Sequence, residues 1–251
     1  MAQVPKPPQG LEERPEDRIA FEQRLGDTLP LDATFLDDTG KQVRIGDYLG
    51  DKPVVLAMVY YRCPMLCIMT INGLLDSLRQ LPMDAGKEFN VVLVSIDPRE
   101  TPKVAAEKKE YILKNYDHPG AANGWHLLTG EDEQIRRVAD AVGFKYAYDQ
   151  RTEQFAHAAG VILVAPDGRL SRYFYGVDFP SRDMRLGLVE ASNNTIGSAV
   201  DQVLLRCFHY DPNTGKYTFR VMAVIRVAGV LTVALMAGSI VILVRKTRRR
   251  T

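Results

Sequence analysis

Val54-Val55-Leu56-Ala57-Met58-Val59-Tyr60-Tyr61-Arg62-Cys63-Pro64-Met65-Leu66-Cys67 is the stretch on which the fold turns. Residues 54–61 are apolar or aromatic without a break, which suits a strand buried on both faces. Pro64 suits the first turn of a helix. Beyond it Leu66, Met69, Leu74, Leu78 and Leu81 recur near helical spacing, so a helix is predicted over 64–81. A buried strand that opens into a helix through a cysteine-bearing turn points to an α/β domain.

The flanking sequence repeats that alternation. Upstream, residues 31–35, the turn Asp37-Asp38-Thr39-Gly40 and residues 42–45 predict a hairpin. Downstream, residues 90–96 form a second apolar strand closed by Asp97-Pro98. Thr101-Pro102 then reads as an N-cap followed by proline, opening a helix over 103–115. A short strand is predicted at 125–128 and a helix over 131–142, stopped by Gly143. Strands follow at 144–148, 160–164 and 170–175, the last two joined by Ala165-Pro166-Asp167-Gly168. A helix over 182–192 and a segment 196–205 complete one α/β domain, 25–206, with no internal repeat. Residues 1–24 precede it as an extended segment rich in Pro, Glu and Arg.

The chain has 251 residues, 46% of them hydrophobic and 25% charged, which permits a sizeable core and excludes global disorder. Its formal charge of +1 excludes a strongly basic nucleic-acid binder. That near-zero total is a sum of two unlike parts. Six of the 32 basic residues and none of the 31 acidic ones lie beyond Arg220, so the first 220 residues carry −5 and the last 31 carry +6. Within that tail, residues 227–244 hold no charge at all. As a helix this run would be about 27 Å long, close to the hydrocarbon thickness of a bilayer. The sequence therefore predicts a juxtamembrane linker at 207–220, a transmembrane helix over 221–244 and a basic tail at 245–251. Arg245, Lys246, Arg248, Arg249 and Arg250 place that tail in the cytoplasm, with the acidic domain on the far side of the membrane. Export requires a leader, and residues 1–10 have no apolar core to serve as one. This reading expects a leader that has been removed or omitted.

Three cysteines are too few for a disulfide scaffold. Cys63 and Cys67 lie at the strand-to-helix mouth, where unpaired N–H groups and the helix dipole favour a thiolate. Four residues apart on one helix face, the two could share a metal ion or close a disulfide. An inert buried pair is the plainer alternative. Their three-residue gap differs from the two-residue gap of thioredoxin-type reductases.

Taken as an ordered set, Tyr60-Tyr61-Arg62-Cys63-Pro64-Met65-Leu66-Cys67, Val94-Ser95-Ile96-Asp97-Pro98, Phe155-Ala156-His157 and Ala165-Pro166-Asp167-Gly168-Arg169 resemble the Sco/SenC family over about residues 25–200. The resemblance implies a thioredoxin-like fold with an added β-hairpin. It implies a membrane-anchored copper protein that assists assembly of the copper A centre of cytochrome c oxidase. Cys63, Cys67 and His157 would bind the copper, as Cu(I) or Cu(II), a donor set whose softness suits that metal. The implied partners are the copper A subunit of the oxidase and other copper chaperones, at the periplasmic face of a bacterial inner membrane. The implied alternative is a thiol–disulfide oxidoreductase using Cys63 and Cys67 to keep the subunit's cysteines reduced. By analogy, His157 is expected in a loop before strand 160–164, opposite the cysteine helix.

Several positions depart from the family's pattern. Ala156 and Ala158 flank His157 where many members have an acidic residue before it, so another group must orient the imidazole. Met65 and Ile68 replace a commoner acidic residue and proline. Met65 is expected to fill an apolar gap, with copper ligation by its thioether as the alternative. The C-terminal anchor replaces the commoner N-terminal one. Cys207 and His209 face one way if extended, yet read most simply as a lone thiol and a surface histidine. His118 and His126 are assigned structural or solvent roles. A peroxidase of the peroxiredoxin type is disfavoured: Arg62 could assist a thiolate, but Thr70 lies on the wrong side of the cysteines.

Overall fold

In the computed structural model, which describes residues 19–194 apart from Pro64 and Pro119, the apolar runs line up as the middle of one sheet. Strands β4 (Val54–Val59), β5 (Asn90–Ser95) and β6 (Trp125–Leu128) pair in parallel. β9 (Gly160–Val164) joins the free edge of β4 antiparallel, and β10 (Leu170–Tyr175) joins β9, giving the order β10-β9-β4-β5-β6. Every residue of β4, β5 and β9 is buried, as strands covered on both faces require.

Parallel neighbours need crossovers, and helices supply them. Helix α1 (Leu66–Leu78) connects β4 to β5, and α2 (Pro102–Tyr116) connects β5 to β6. Thr101 is extended and Pro102 opens α2, as the sequence predicts, although the Thr101 side chain makes no capping bond. Helix α3 (Asp132–Ala141) stops before Gly143, whose φ of 68° an L-residue adopts reluctantly. Helix α4 (Ser181–Ser192) packs on α1, β9 and β10. The segment leading into α4 approaches α1 so closely that a Cβ on Gly73 would lie 1.8 Å from the Val177 carbonyl oxygen.

Two smaller sheets complete the domain. The expected hairpin is β2 (Thr34–Leu36) with β3 (Gln42–Arg44), its turn held by Asp37 accepting from the Thr39 and Lys41 N–H groups. The other sheet pairs β1 (Ala20–Phe21) with β7 (Phe144–Asp149), and β7 with β8 (Gln154–His157). Neither β1 nor β8 is predicted from the sequence. The described residues form a mixed α/β arrangement with four α-helices, consistent with the thioredoxin-like class expected.

Among the described residues no helix is long and apolar enough to cross a membrane. Residues 1–18 of the extended segment, the segment 196–205, the linker with Cys207 and His209, the predicted span and the basic tail lie outside the described residues, whereas Ala20–Phe21, expected in the extended segment, form β1 and pair with β7.

Candidate metal centre

The turn that leaves β4 carries Cys63, whose N–H donates to the Tyr60 carbonyl at 3.3 Å. Sequence reasoning puts Cys63 on the helix; it lies before it, because α1 begins at Leu66 with Met65 as its N-cap. The helix end still serves the sulfur. The Cys67 N–H donates to Cys63 Sγ at 3.3 Å, so a free N–H of the first turn is spent on the thiolate. Cys67 faces inward from the first turn of α1, and the Tyr60 N–H donates to its sulfur at 3.4 Å.

His157 is not in a loop but ends β8, opposite Tyr146 on β7. That hairpin brings the imidazole across to the cysteines, with Nε2 3.1 Å from Cys67 Sγ. The donor atoms of Cys63, Cys67 and His157 all lie within 4.8 Å of one another, and all three residues are buried. On the other side of the ring, Nδ1 is 2.7 Å from the Ala158 carbonyl oxygen. A carbonyl only accepts, so Nδ1 carries the proton; in neutral imidazole the Nε2 lone pair then faces the sulfurs. This carbonyl is the orienting group that the missing acidic neighbour left open.

The sulfurs share their protons unequally. Cys63 is pulled down to about 3, chiefly by the Cys67 thiol donating to it, with the Cys67 and Met65 N–H groups adding to the effect against burial. Cys67 is pushed far up by the adjacent Cys63 sulfur and by burial. The reduced pair is thus a thiolate at Cys63 beside a thiol at Cys67; both cysteines are free. The Tyr60 ring, 5.9 Å from the imidazole, and the Phe144 ring at the same distance close the site with apolar walls.

Glu100 is the residue that sequence reasoning missed. Its buried carboxylate accepts from the Tyr61 N–H at 2.8 Å, the Arg62 N–H at 2.7 Å and the Ser95 hydroxyl at 2.6 Å. It therefore fastens the cysteine turn to the end of β5. Its signal was the quoted Ser95-Ile96-Asp97-Pro98 motif, which ends two residues short of it. Nearby, Arg99 pairs with Asp97 and lies over the Tyr148 and Phe155 rings, 5.0 and 5.7 Å from their centroids. Because Phe155 also meets Tyr60 edge-on, the hairpin bearing His157 is docked from two sides.

Other candidates fall away from the centre. Met65 does not fill an apolar gap: it is 70% exposed. Thr70 turns back into its own helix, its hydroxyl donating to the Leu66 carbonyl at 3.0 Å. Arg62 is exposed. His118 pairs with Asp84 at 2.9 Å and stacks on Tyr116, while His126 packs against Tyr48, so both have the structural roles expected.

A protein of Stutzerimonas stutzeri described as copper-binding is 30% identical over 120 residues, 46% of this chain and 54% of that protein. The chain thus spans about half the length of this curated relative. A crystal structure from Aquifex aeolicus, described as an electron-transfer protein, shares 25% identity with a TM-score of 0.59, covering 68% of this chain and 95% of its own. ScoI of Arabidopsis thaliana, solved with copper bound, has a similar fold: 22% identity, TM-score 0.53, 68% of this chain and 99% of its own. The SCO1/SenC family profile matches residues 24–186, a span that contains the cysteine turn, Glu100 and the His157 hairpin, and the chain belongs to that family.

Proposed function

We propose that this protein is a copper metallochaperone that carries copper as cargo on Cys63, Cys67 and His157 and assists its insertion into the copper A centre of cytochrome c oxidase. The observation that carries the reading is the convergence of two sulfurs and an imidazole nitrogen within 4.8 Å in a buried site. Two soft sulfur donors and one imidazole suit copper, above all Cu(I), whereas a closed structural zinc site ordinarily takes four protein ligands. The chain's own residues prepare the site. The Ala158 carbonyl sets the imidazole tautomer, Glu100 holds the cysteine turn, and Cys63 offers a sulfur already deprotonated. Only the Cys67 proton must leave as cargo binds.

The apolar run 227–244 and the basic residues after it support a membrane anchor, with the domain facing the periplasm. The oxidase subunit bearing copper A would then be reached on that side. Anaerobic Cu(I) titration against a competing chelator tests the site. One Cu(I) per chain is expected, with binding weakened at least tenfold in Cys63→Ala, Cys67→Ala and His157→Ala. Unchanged affinity in His157→Ala overturns the three-donor site.

A second reading, thiol–disulfide exchange with the target's cysteines, is favoured by the unequal sharing of protons. A ready thiolate at Cys63 and a thiol at Cys67 are the attacking and resolving groups that such exchange requires. Rapid exchange between the copper-free reduced chain and an oxidised target would favour it.

A further inference from the structure

Glu100 brings more to the cysteine turn than a fastening requires. Asp97 and Glu100 are the two buried acidic residues among those described, 7% and 5% exposed. Asp97 has its cation, since Arg99 donates to both of its carboxylate oxygens, at 2.7 and 2.8 Å. The less buried Asp38 has Lys109 at 3.0 Å. Glu100 accepts only from neutral groups, the Tyr61 and Arg62 N–H and the Ser95 hydroxyl. Among the described residues no Lys, Arg or His forms an ion pair with it. Both oxygens accept, and hydrogen bonds of that kind hold the ionised form. A buried charge without a counter-charge is costly. The fastening explains the hydrogen bonds and leaves the charge unbalanced.

That charge lies beside the metal centre. The two N–H groups it accepts from belong to the residues just before Cys63, and Tyr60, before those, donates its N–H to Cys67 Sγ at 3.4 Å. Cys67 is pushed up first by the Cys63 sulfur and by burial, and the Glu100 charge adds to both. The counter-charge that Glu100 lacks is the one the centre takes in. Two thiolates, a neutral imidazole and Cu(I) carry one net negative charge, whereas with Cu(II) they carry none. A fixed carboxylate nearby disfavours the first relative to the second. We propose that Glu100 is a specificity-determining residue for the charge of the cargo, shifting the centre's preference from Cu(I) toward Cu(II). The proposal rests on the copper reading of the three-residue centre. The soft donors favour Cu(I), and Glu100 offsets part of that bias, so that one centre can hold either ion.

The test is the Cu(II)/Cu(I) potential of the copper-loaded full chain, measured by redox titration with mediators, beside Cu(I) affinity from anaerobic competition with a chelator. Glu100→Gln removes the charge at equal length. It is expected to raise the potential by at least about 59 mV, a tenfold shift of the affinity ratio toward Cu(I). Loosening of the turn alone would weaken both ions alike and leave the potential where it was. A smaller rise, no rise or a fall overturns the proposal. Glu100→Asp, shorter but still charged, is expected to stay near the unmodified potential, and an equal rise there overturns the proposal by assigning the effect to geometry. If Glu100→Gln does not fold, Glu100→Asp and Glu100→Asn, matched in length and unlike in charge, make the same comparison. Failure of the copper reading looks different: the unmodified chain then holds no copper tightly enough to titrate.

Discussion

At the residue scale, the centre is governed by where two protons reside. One is fixed on His157 Nδ1 by the Ala158 carbonyl, and the other lies on Cys67 because Cys63 is the better-supported thiolate. The ultraviolet absorbance of the Cys63 thiolate should therefore persist as pH falls, until it is lost near pH 3. In Cys67→Ala the largest stabilising contact is gone, so the absorbance should be lost at a clearly higher pH. A titration midpoint that does not move would show that Cys67 is not the cause. That Cys63, Cys67 and His157 belong together was legible in the sequence, since Cys63-Pro64-Met65-Leu66-Cys67 and Phe155-Ala156-His157 are local motifs, and the structure brings the three side chains together. What orients them was not. Ala158 acts through its backbone, and Glu100 acts across a strand pairing that no local pattern announces. Met65 misled because methionine in a helix usually marks a core position, whereas this one faces outward.

At the element scale, the strands of the main sheet were read well, whereas β1 and β8, partly exposed strands outside it, were not. β6, β9 and β10 have the bounds predicted, and β4 and β5 differ by two residues or fewer at one end; in β4, β5 and β9 continuous burial leaves a largely apolar run that marks the strand. β8 has four residues, of which only His157 is buried, and β1 has two; both exist because β7 offers them a partner. The placement of α1 depends on a position with no side chain. At Gly73 a methyl group would collide with the Val177 carbonyl oxygen, forcing the helix away from the segment that leads into α4. Gly73→Ala would gain about 1 kcal/mol in helix propensity. Overpacking costs about 1–3 kcal/mol, and more where rigid backbone is the obstacle. We expect a net loss of about 2 kcal/mol in denaturant unfolding; a stabilised variant would show that this contact yields easily.

At the scale of the whole molecule, stability should depend on pH through His126. Burial first, and then the nearby Lys109 charge, pull its imidazole down to about 4 from an ordinary value of 6.5. In this range the unfolded chain binds the proton more readily than the folded one, so stability is full above about pH 6.5 and falls as pH drops toward 4. The loss reaches at most about 3 kcal/mol. His126→Phe should flatten that part of the stability curve in acid denaturation, and a curve that keeps its slope would assign the effect elsewhere. The separation of the donors along the chain has another consequence for the molecule as a whole. Cys67 and His157 are 90 residues apart and meet only when β4, α1 and the β7–β8 hairpin are all in place. During synthesis, a chain that has emerged only as far as β6 owns a dithiol but no complete site. On the copper reading, tight retention of the ion would distinguish finished molecules from partial ones, and binding to the completed site alone would make reversal of folding harder.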